Sequence, residues 1–414
     1  MGISGSRVGV IGGSLAGCAT AIALSRAGCT VEVFERSEGE LRDRGSGIGM
    51  PTPLREELIA AGYLPGDYPW CGIEGRLWVV PDGSPRGRVL WRQSSSPTHN
   101  NWGVLWRSLR AGVDDSRYHS GKVMRSFEED RDGVDVRFGD GTTERFDVLV
   151  GADGYRSQVR PHLHPDSSPV YAGYILWRGN YSETRVEDRR YLDDLHRTRD
   201  MTSVVFEGGH AVLYMIPEFD GGTEPGARRL NWAIYTAAPD GFDFTEPTSI
   251  APGAIEPALY RHLDELLATF PAEIEALFRL SSPDEVSIQP IYDELVDSYA
   301  AGRVLLVGDA GTVTRPHTGS GATKALQDAL ALEEIAAAAG NWDEVVDTYN
   351  RDRVANGVSL VEMGRRLGRA QVEETPDWAT MEPDDFRDWI AATLAGDNLY
   401  FYGSDGDPNP DPDV

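Results

Sequence analysis

An α/β fold is predicted: a Rossmann-like nucleotide-binding domain, an antiparallel-sheet domain that interrupts it, and helices at the C-terminus. Three observations predict it. Residues 7–36 read as strand, glycine turn, helix and strand, and strands rich in aromatics recur from Val170 to about Pro290. Residues 303–329 run from an apolar strand through Gly308-Asp309 and a Pro-Gly loop into a helix of Ala, Leu and Glu. The expected boundaries are 1–70, 99–168 and 287–340 for the first domain and 71–98 with 169–286 for the second. Residues 341–403 follow as C-terminal helices, and the Asp/Pro/Gly tail 404–414 is expected to be disordered.

The first unit begins at Arg7 and reaches Gly12-Gly13-Ser14-Leu15-Ala16-Gly17; a helical spacing follows to Gly28, then Thr30 to Arg36. In dinucleotide binding Gly12 permits the tight turn, the next small position lets the backbone approach a pyrophosphate, and Gly17 lets helix and strand pack closely. Ser14 replaces the middle glycine, and its hydroxyl can itself donate to a phosphate. Glu35, 23 positions after Gly12, can accept from a ribose hydroxyl. Arg36 beside it suits either a 2′-phosphate or stacking on a base.

Leu41 to Gly49 is a glycine-rich turn carrying Arg44 and Gly45, an approach to the nucleotide or any loop. A helix is predicted at about 53–61, a hairpin within 72–92, a connector at 94–97 and a helix from Val104. Arg107 on that helix is either a phosphate or ribityl contact or a solvated base. Strands at about 116–129, 133–138 and 143–146 turn at Asp132-Gly133 and Gly139-Asp140-Gly141. A buried strand then ends at Gly151-Ala152-Asp153-Gly154, with a helix capped near Asp153 and arginines Arg156 and Arg160 along it. In the second domain, Trp177 and Tyr214 are candidate walls of an aromatic-ligand pocket, although core packing explains such rings equally well. Helices are predicted at about 253–264, 271–278, 319–339, 342–370 and 383–394. Where the loop 315–319 enters its helix, backbone N–H groups and a helix N-terminus converge, a natural site for negative charge.

The 414 residues are 40% hydrophobic and 25% charged, which excludes disordered and fibrous classes. A net charge of −27 argues against nucleic acids and acidic membranes as partners. No apolar run reaches the roughly 18 to 20 residues of a membrane span, and a cytoplasmic location is expected. Cys18, Cys29 and Cys71 have neither disulfide nor metal spacing. Only Lys122 and Lys324 are lysines among 39 basic residues; with the acid excess this suggests a halophilic cytosol, the alternative being a GC-rich genome that favours Arg.

Three separated elements, the Gly12 turn, Gly151-Ala152-Asp153-Gly154 and Gly308-Asp309, resemble in order and spacing the three fingerprints of the single-component aromatic flavoprotein monooxygenases, the para-hydroxybenzoate hydroxylase class. Tyr171-Ala172-Gly173-Tyr174 with Trp177-Arg178-Gly179, Gly209-His210 before Tyr214, and Arg315-Pro316-His317 with Lys324 are similar to its dihydroxypyridine-hydroxylating members. The resemblance implies an FAD-binding domain in which Gly12, Gly13, Ser14, Leu15 and Gly17 cradle the pyrophosphate and Glu35, with Arg36, meets the adenosine. Arg107, Asp153, Gly308 and Asp309 would lie along the cofactor, with Asp309 on its ribityl chain, and Pro316 to Gly321 at the flavin ring. Gly319, Gly321 and Ala322 would then stabilise negative charge near flavin N1.

NADH or NADPH would be the co-substrate, O2 the oxidant, and a flavin C4a-hydroperoxide the donor of oxygen to a small aromatic ring; a homodimer is also implied, and no metal. Pro316, His317 and His210 are the candidate catalytic residues, the imidazoles because they titrate near neutral pH. Against that, His210 can satisfy a turn and His317 can orient a loop. Thr312 stands where the wider class often has His. The competing readings are an FAD-dependent reductase or oxidase on the same scaffold, such as a polyprenyl reductase, and a flavoprotein that has lost catalysis and serves as a binding module.

Overall fold

The computed structural model describes residues 2–41, 46–246 and 248–396. Arg44 and Gly45 of the expected glycine-rich approach, and the whole 404–414 tail, lie outside the described residues.

The first layer is a six-stranded sheet in the order Ala300–Ala301, Val304–Leu306, Val148–Gly151, Arg7–Ile11, Thr30–Glu35, Tyr118–Ser120. All its pairs are parallel except the outer one between Ala300–Ala301 and Val304–Leu306. Its central strand is an almost continuous apolar run because both faces are covered, as parallel sheets require. Val10 sits beside Val150 on one side and Val33 on the other. The strand ends Ile11, Gly151 and Leu306 therefore stand side by side, and the three glycine-bearing turns that follow them are brought to one edge. That edge is where open α/β sheets bind ligands.

The second layer is a seven-stranded sheet ordered Ser287–Asp293, Val170–Ser182, Arg228–Ala237, Gly209–Pro217, Asp200–Phe206, Gly75–Val80, Arg88–Ser94. It is antiparallel apart from the pair Asp200–Phe206 with Gly75–Val80. One face is buried by helices Arg190–Thr198, Pro257–Leu267 and Ala272–Phe278 around Trp177, Trp232 and Phe278. Part of the other face packs through Trp78, Val80 and Leu90 on Met363, Leu367 and Phe386 of the C-terminal helices Trp342–Gly368 and Pro383–Leu394. The rest of that face is open to a cavity.

Several expectations are corrected. The strand Ser287–Asp293 pairs with Val170–Ser182, so the chain returns to the first layer after Asp293 and not at residue 287. No helix begins at Asp153: Gly154 has φ +79, outside the right-handed helical region, and only Arg160–Leu163 is helical. The predicted strand 116–129 divides into Tyr118–Ser120 of the parallel sheet and Met124–Asp130 of a separate three-stranded meander. Thr98–Asn101, just beyond the expected connector, is a wholly buried strand between Gly47–Met50 and Cys71–Gly72. Its polar residues carry no strand signal; burial and pairing impose the conformation.

Candidate functional site

A cavity of about 660 Å³ is lined from both layers. Its first end is built on the Gly12 turn. Gly12 has φ +107, and a Cβ there would lie 2.3 Å from the Ala152 carbonyl oxygen; a Cβ on Gly17 would lie 1.8 Å from that of Gly12. Both glycines are therefore required by close approach of backbone to backbone. Ser14 and Leu15 line the cavity at the N-terminus of helix Leu15–Arg26. Gly13 faces the other way: its carbonyl accepts from the Trp106 indole and the Tyr118 hydroxyl, each at 2.9 Å. These two rings hold the turn from behind, and nothing in local spacing announces them.

Glu35 is buried at the cavity edge beside Arg36 and accepts from the N–H groups of Gly13 and Ser37, both at 2.9 Å. Each carboxylate oxygen keeps a second lone pair for a ligand hydroxyl. Arg107 does not reach this cavity. It borders a separate cavity of about 410 Å³ with Trp106 and Arg110, and its guanidinium donates to the Phe219 carbonyl. The helix Trp102–Arg110 presents only its first residue, Trp102, to the main cavity, which leaves Arg107 more than a turn away.

Asp153 lines the cavity, but its carboxylate accepts from the Ser157 hydroxyl and Gln158 N–H, both at 2.6 Å, so it closes a turn of its own segment. Burial raises its pKa, opposed by those hydrogen bonds. Arg160 ties this segment to the next, donating to the carbonyls of Asp309 and Ala310 at 3.1 and 3.2 Å and pairing with buried Glu294 at 2.6 Å.

Gly308-Asp309-Ala310 forms a single 3-10 turn after strand Val304–Leu306. Gly308 does not line the cavity; its N–H donates to Asp328 and its carbonyl accepts from Lys324, both at 2.9 Å. Lys324 also pairs with Asp328 at 2.9 Å, and Arg353 reaches the other Asp328 oxygen at 2.7 Å. Lys324 and Asp328 are fully buried. This cluster fixes the backbone of Gly308 and so aims Asp309 into the cavity. Burial raises the Asp309 carboxyl to about 6, although Lys324 and Arg160 draw it down. Gly319, with φ +64, starts helix Ser320–Ala338, and Gly319, Gly321 and Ala322 line the cavity. Two helix N-termini thus converge on this end, and their first-turn N–H groups have no acceptor within the helix.

At the other end the wall is the seven-stranded sheet. Side chains alternate along strands, so His210, Val212 and Tyr214 face the cavity together, as do Asn231, Ala233 and Tyr235, and Leu176 with Arg178. Trp177 falls on the opposite face: it is fully buried among the residues around Phe278 and lines no part of the cavity. Its neighbour Arg178 takes the place expected for it. The Tyr235 ring stacks on both His210 and His317, at centroid distances of 4.6 and 4.2 Å, and His317 Nε2 is 2.8 Å from the Tyr174 hydroxyl. Pro316 lines the cavity beside His317.

Neither imidazole titrates near neutrality. Burial, with Arg315 and Arg76, lowers His317 to about 3, and burial, with His317 and Arg76, holds His210 well below its ordinary value. Both are neutral at physiological pH, which removes the basis for choosing them as groups that gain or lose a proton there. The edge strand Gly47–Met50 crosses the cavity. Gly47 N–H donates to Asn231 Oδ1 at 2.8 Å, and a Cβ on Gly47 would lie 2.5 Å from the Tyr214 ring.

No metal-holding group of His, Cys, Asp and Glu occurs among the described residues, and no described helix is long and apolar enough to cross a membrane. An FAD binding domain-like family matches residues 171–250, and the FAD binding domain family matches residues 258–363. The chain is 30% identical over 351 residues to 2,6-dihydroxypyridine 3-monooxygenase of Paenarthrobacter nicotinovorans, covering 80% of this chain and 82% of that protein. It is 28% identical over 381 residues to 3-amino-4-hydroxybenzoate 2-monooxygenase of Streptomyces cremeus, covering 87% and 86%. The solved structure of 2,6-dihydroxypyridine-3-hydroxylase from Arthrobacter nicotinovorans is similar with a TM-score of 0.79 at 26% identity, covering 91% of this chain and 95% of that one.

Proposed function

Because the chain belongs to the FAD-dependent aromatic monooxygenases, we propose that it uses NADH or NADPH and O2 to hydroxylate an electron-rich hydroxylated aromatic or N-heteroaromatic ring. The observation that carries this is the continuity of the cavity. A glycine turn and two helix N-termini stand at one end, and a wall of Tyr, His and Arg at the other, with no layer of the described residues between them.

The residues present fit FAD. The turn that Gly12 and Gly17 make possible, with the N-terminus of helix Leu15–Arg26, suits the pyrophosphate. Glu35 would take the adenosine ribose, and Asp309 the hydroxyls of the ribityl chain. Gly319, Gly321 and Ala322 would face the electron-rich edge of the flavin ring, where first-turn N–H donors favour negative charge. FAD, when bound, supplies the transfer of reducing equivalents from the nicotinamide and the activation of O2.

The chain's own work is orientation and dryness. Tyr235, His210 and His317, with ring centroids 4.2 to 5.2 Å apart, form one rigid aromatic cluster on the wall against which a planar ring can lie. The neutral imidazole of His317 holds Tyr174 in place through one hydrogen bond. The apolar partners Leu176, Val212 and Ala233 exclude water from that wall.

The test is a screen of dihydroxypyridines, hydroxynicotinate, salicylate-type phenols and larger polyketide phenols. Stimulated NAD(P)H oxidation with matching O2 uptake and a product heavier by one oxygen is expected. Nicotinamide oxidation indifferent to every ring compound would favour a reductase or oxidase, and protein that stays colourless after FAD is supplied would sink the reading. Gly17→Val is expected to remove FAD, because the added side chain must displace the Gly12 carbonyl; flavin absorbance of the purified protein checks it.

A further inference from the structure

Tyr214 and Asn231 are partners across neighbouring strands of the sheet wall, and both line the cavity. Asn231 is only 2% exposed. Its Oδ1 accepts from the Gly47 N–H at 2.8 Å. Because that N–H can only donate, the amide oxygen is the atom facing it and the amide nitrogen points elsewhere. That nitrogen has no hydrogen-bond partner among the described residues. The Tyr214 hydroxyl has none among them either: its ring lies against His99, with centroids 4.1 Å apart, and a Cβ on Gly47 would come within 2.6 Å of its oxygen. Burial raises this phenol to about 12, with Arg178 drawing it down, so the hydroxyl keeps its proton. By contrast, the buried hydroxyls of Tyr174, Tyr181 and Tyr191 in the same domain meet His317, the Leu277 carbonyl and Thr202.

A buried donor without an acceptor is costly, and two that stand side by side at a cavity are kept where a ligand takes them. Cross-strand neighbours have Cβ atoms roughly 5 Å apart, close enough for both donors to meet on one oxygen. A carbonyl oxygen offers two lone pairs near its own plane, one for each donor. Both donors are neutral, so the pair asks for an acceptor and not for a charge. The next pair along these strands that faces the cavity is Val212 with Ala233, and the one after it is His210 with Tyr235. Four residues of strand span about 13 Å. Val212 and Ala233 therefore make an apolar floor, the size of one or two fused rings, between the donor pair and the aromatic cluster.

We propose that Tyr214 and Asn231 form a donor cradle for a carbonyl oxygen of the substrate, which makes the substrate class an aromatic ring in its oxo form, such as the lactam of a hydroxylated N-heterocycle. The proposal rests on the hydroxylase reading and names the substrate class within it. With its carbonyl held beside Gly47 and its ring over Val212 and Ala233, such a molecule points in one direction along the wall, its far edge toward Tyr235.

The experiment uses the FAD-loaded enzyme and pairs of uncharged isomers locked in the oxo or the ether form: N-methyl-2-pyridone with 2-methoxypyridine, and N-methyl-2-quinolone with 2-methoxyquinoline. Binding is read as the perturbation of flavin absorbance. For at least one pair the oxo isomer is expected to bind roughly 10-fold more tightly, the worth of two neutral hydrogen bonds. Tyr214→Phe, which removes one oxygen and keeps the ring on His99, should cut that ratio to roughly a third with FAD affinity unchanged. Asn231→Leu should cut it similarly, and the double variant should bring it near one. A ratio near one in the parent enzyme, no binding by either oxo compound, or a ratio that survives both substitutions would each overturn the assignment. So would a loss of FAD affinity in Tyr214→Phe with the ratio kept, which would give the donors to the flavin's own carbonyls. FAD retention and substrate-stimulated O2 uptake report on the hydroxylase reading separately, so failure of one is not mistaken for failure of the other.

Discussion

Asp309→Asn is expected to weaken FAD binding by roughly 10- to 100-fold at pH 7.5, the worth of a hydrogen bond to a charged acceptor, while making the apoprotein more stable. Both effects have one origin. Burial raises the Asp309 carboxyl from 3.8 to about 6. A carboxyl raised in this way favours the fold fully below its unfolded value, and that contribution is lost as pH rises through about 6. At pH 7.5 the ionised group therefore costs the empty protein on the order of 3 kcal/mol, at about 1.4 kcal/mol for each pH unit of displacement. Asparagine keeps the shape and removes the charge. Urea unfolding of the apoprotein should show the variant ahead at pH 7.5, with the advantage gone by pH 4. FAD affinity of the parent should fall as pH descends through about 6, and that of the variant should stay flat. Equal FAD affinity of the two at pH 7.5 would contradict the cofactor role of Asp309.

Asp328→Asn is expected to destabilise the protein by about 3–5 kcal/mol, the usual result of removing one partner from a buried ion pair. Burial alone would raise the Asp328 carboxyl, but Lys324, Arg353 and the Gly308 N–H hold it below its ordinary value. Its contribution is therefore present above the unfolded carboxylate range and lost only as pH falls through the depressed value. The gap between variant and parent in urea should thus persist at pH 5, the opposite of the Asp309 behaviour 19 positions earlier in the chain. FAD affinity should fall as well, because Gly308 is held by Asp328 directly and by Lys324 through its carbonyl. A variant as stable as the parent would mean that the cluster is solvated in solution.

The turn at Gly12 and the one at Gly308-Asp309 were legible because their function depends on backbone: a glycine that must adopt positive φ or accept a close neighbour leaves a mark at its own position. Arg107 and Trp177 were misplaced for the converse reason. Both are the right residue type for a site, but which way they point depends on the face of a helix and the register of a strand. A shift of one residue along Val170–Ser182 exchanges Trp177 for Arg178. Asp153 was recognised as lining the site, yet its carboxylate is engaged by Ser157 and Gln158 a few residues on. The imidazoles of His210 and His317 were found, and their neutrality was not, since it comes from burial and from arginines distant in the chain.

By itself the sequence determined the two-layer α/β plan, the nucleotide end of the site and the family, because each is written in local patterns: apolar strands that end in glycine turns, acids at fixed offsets, helices that begin where the turns stop. Only the tertiary structure decided which side chains line the sheet end of the cavity. His317 becomes a neutral support for Tyr174 through a contact between residues 143 positions apart and the burial of both.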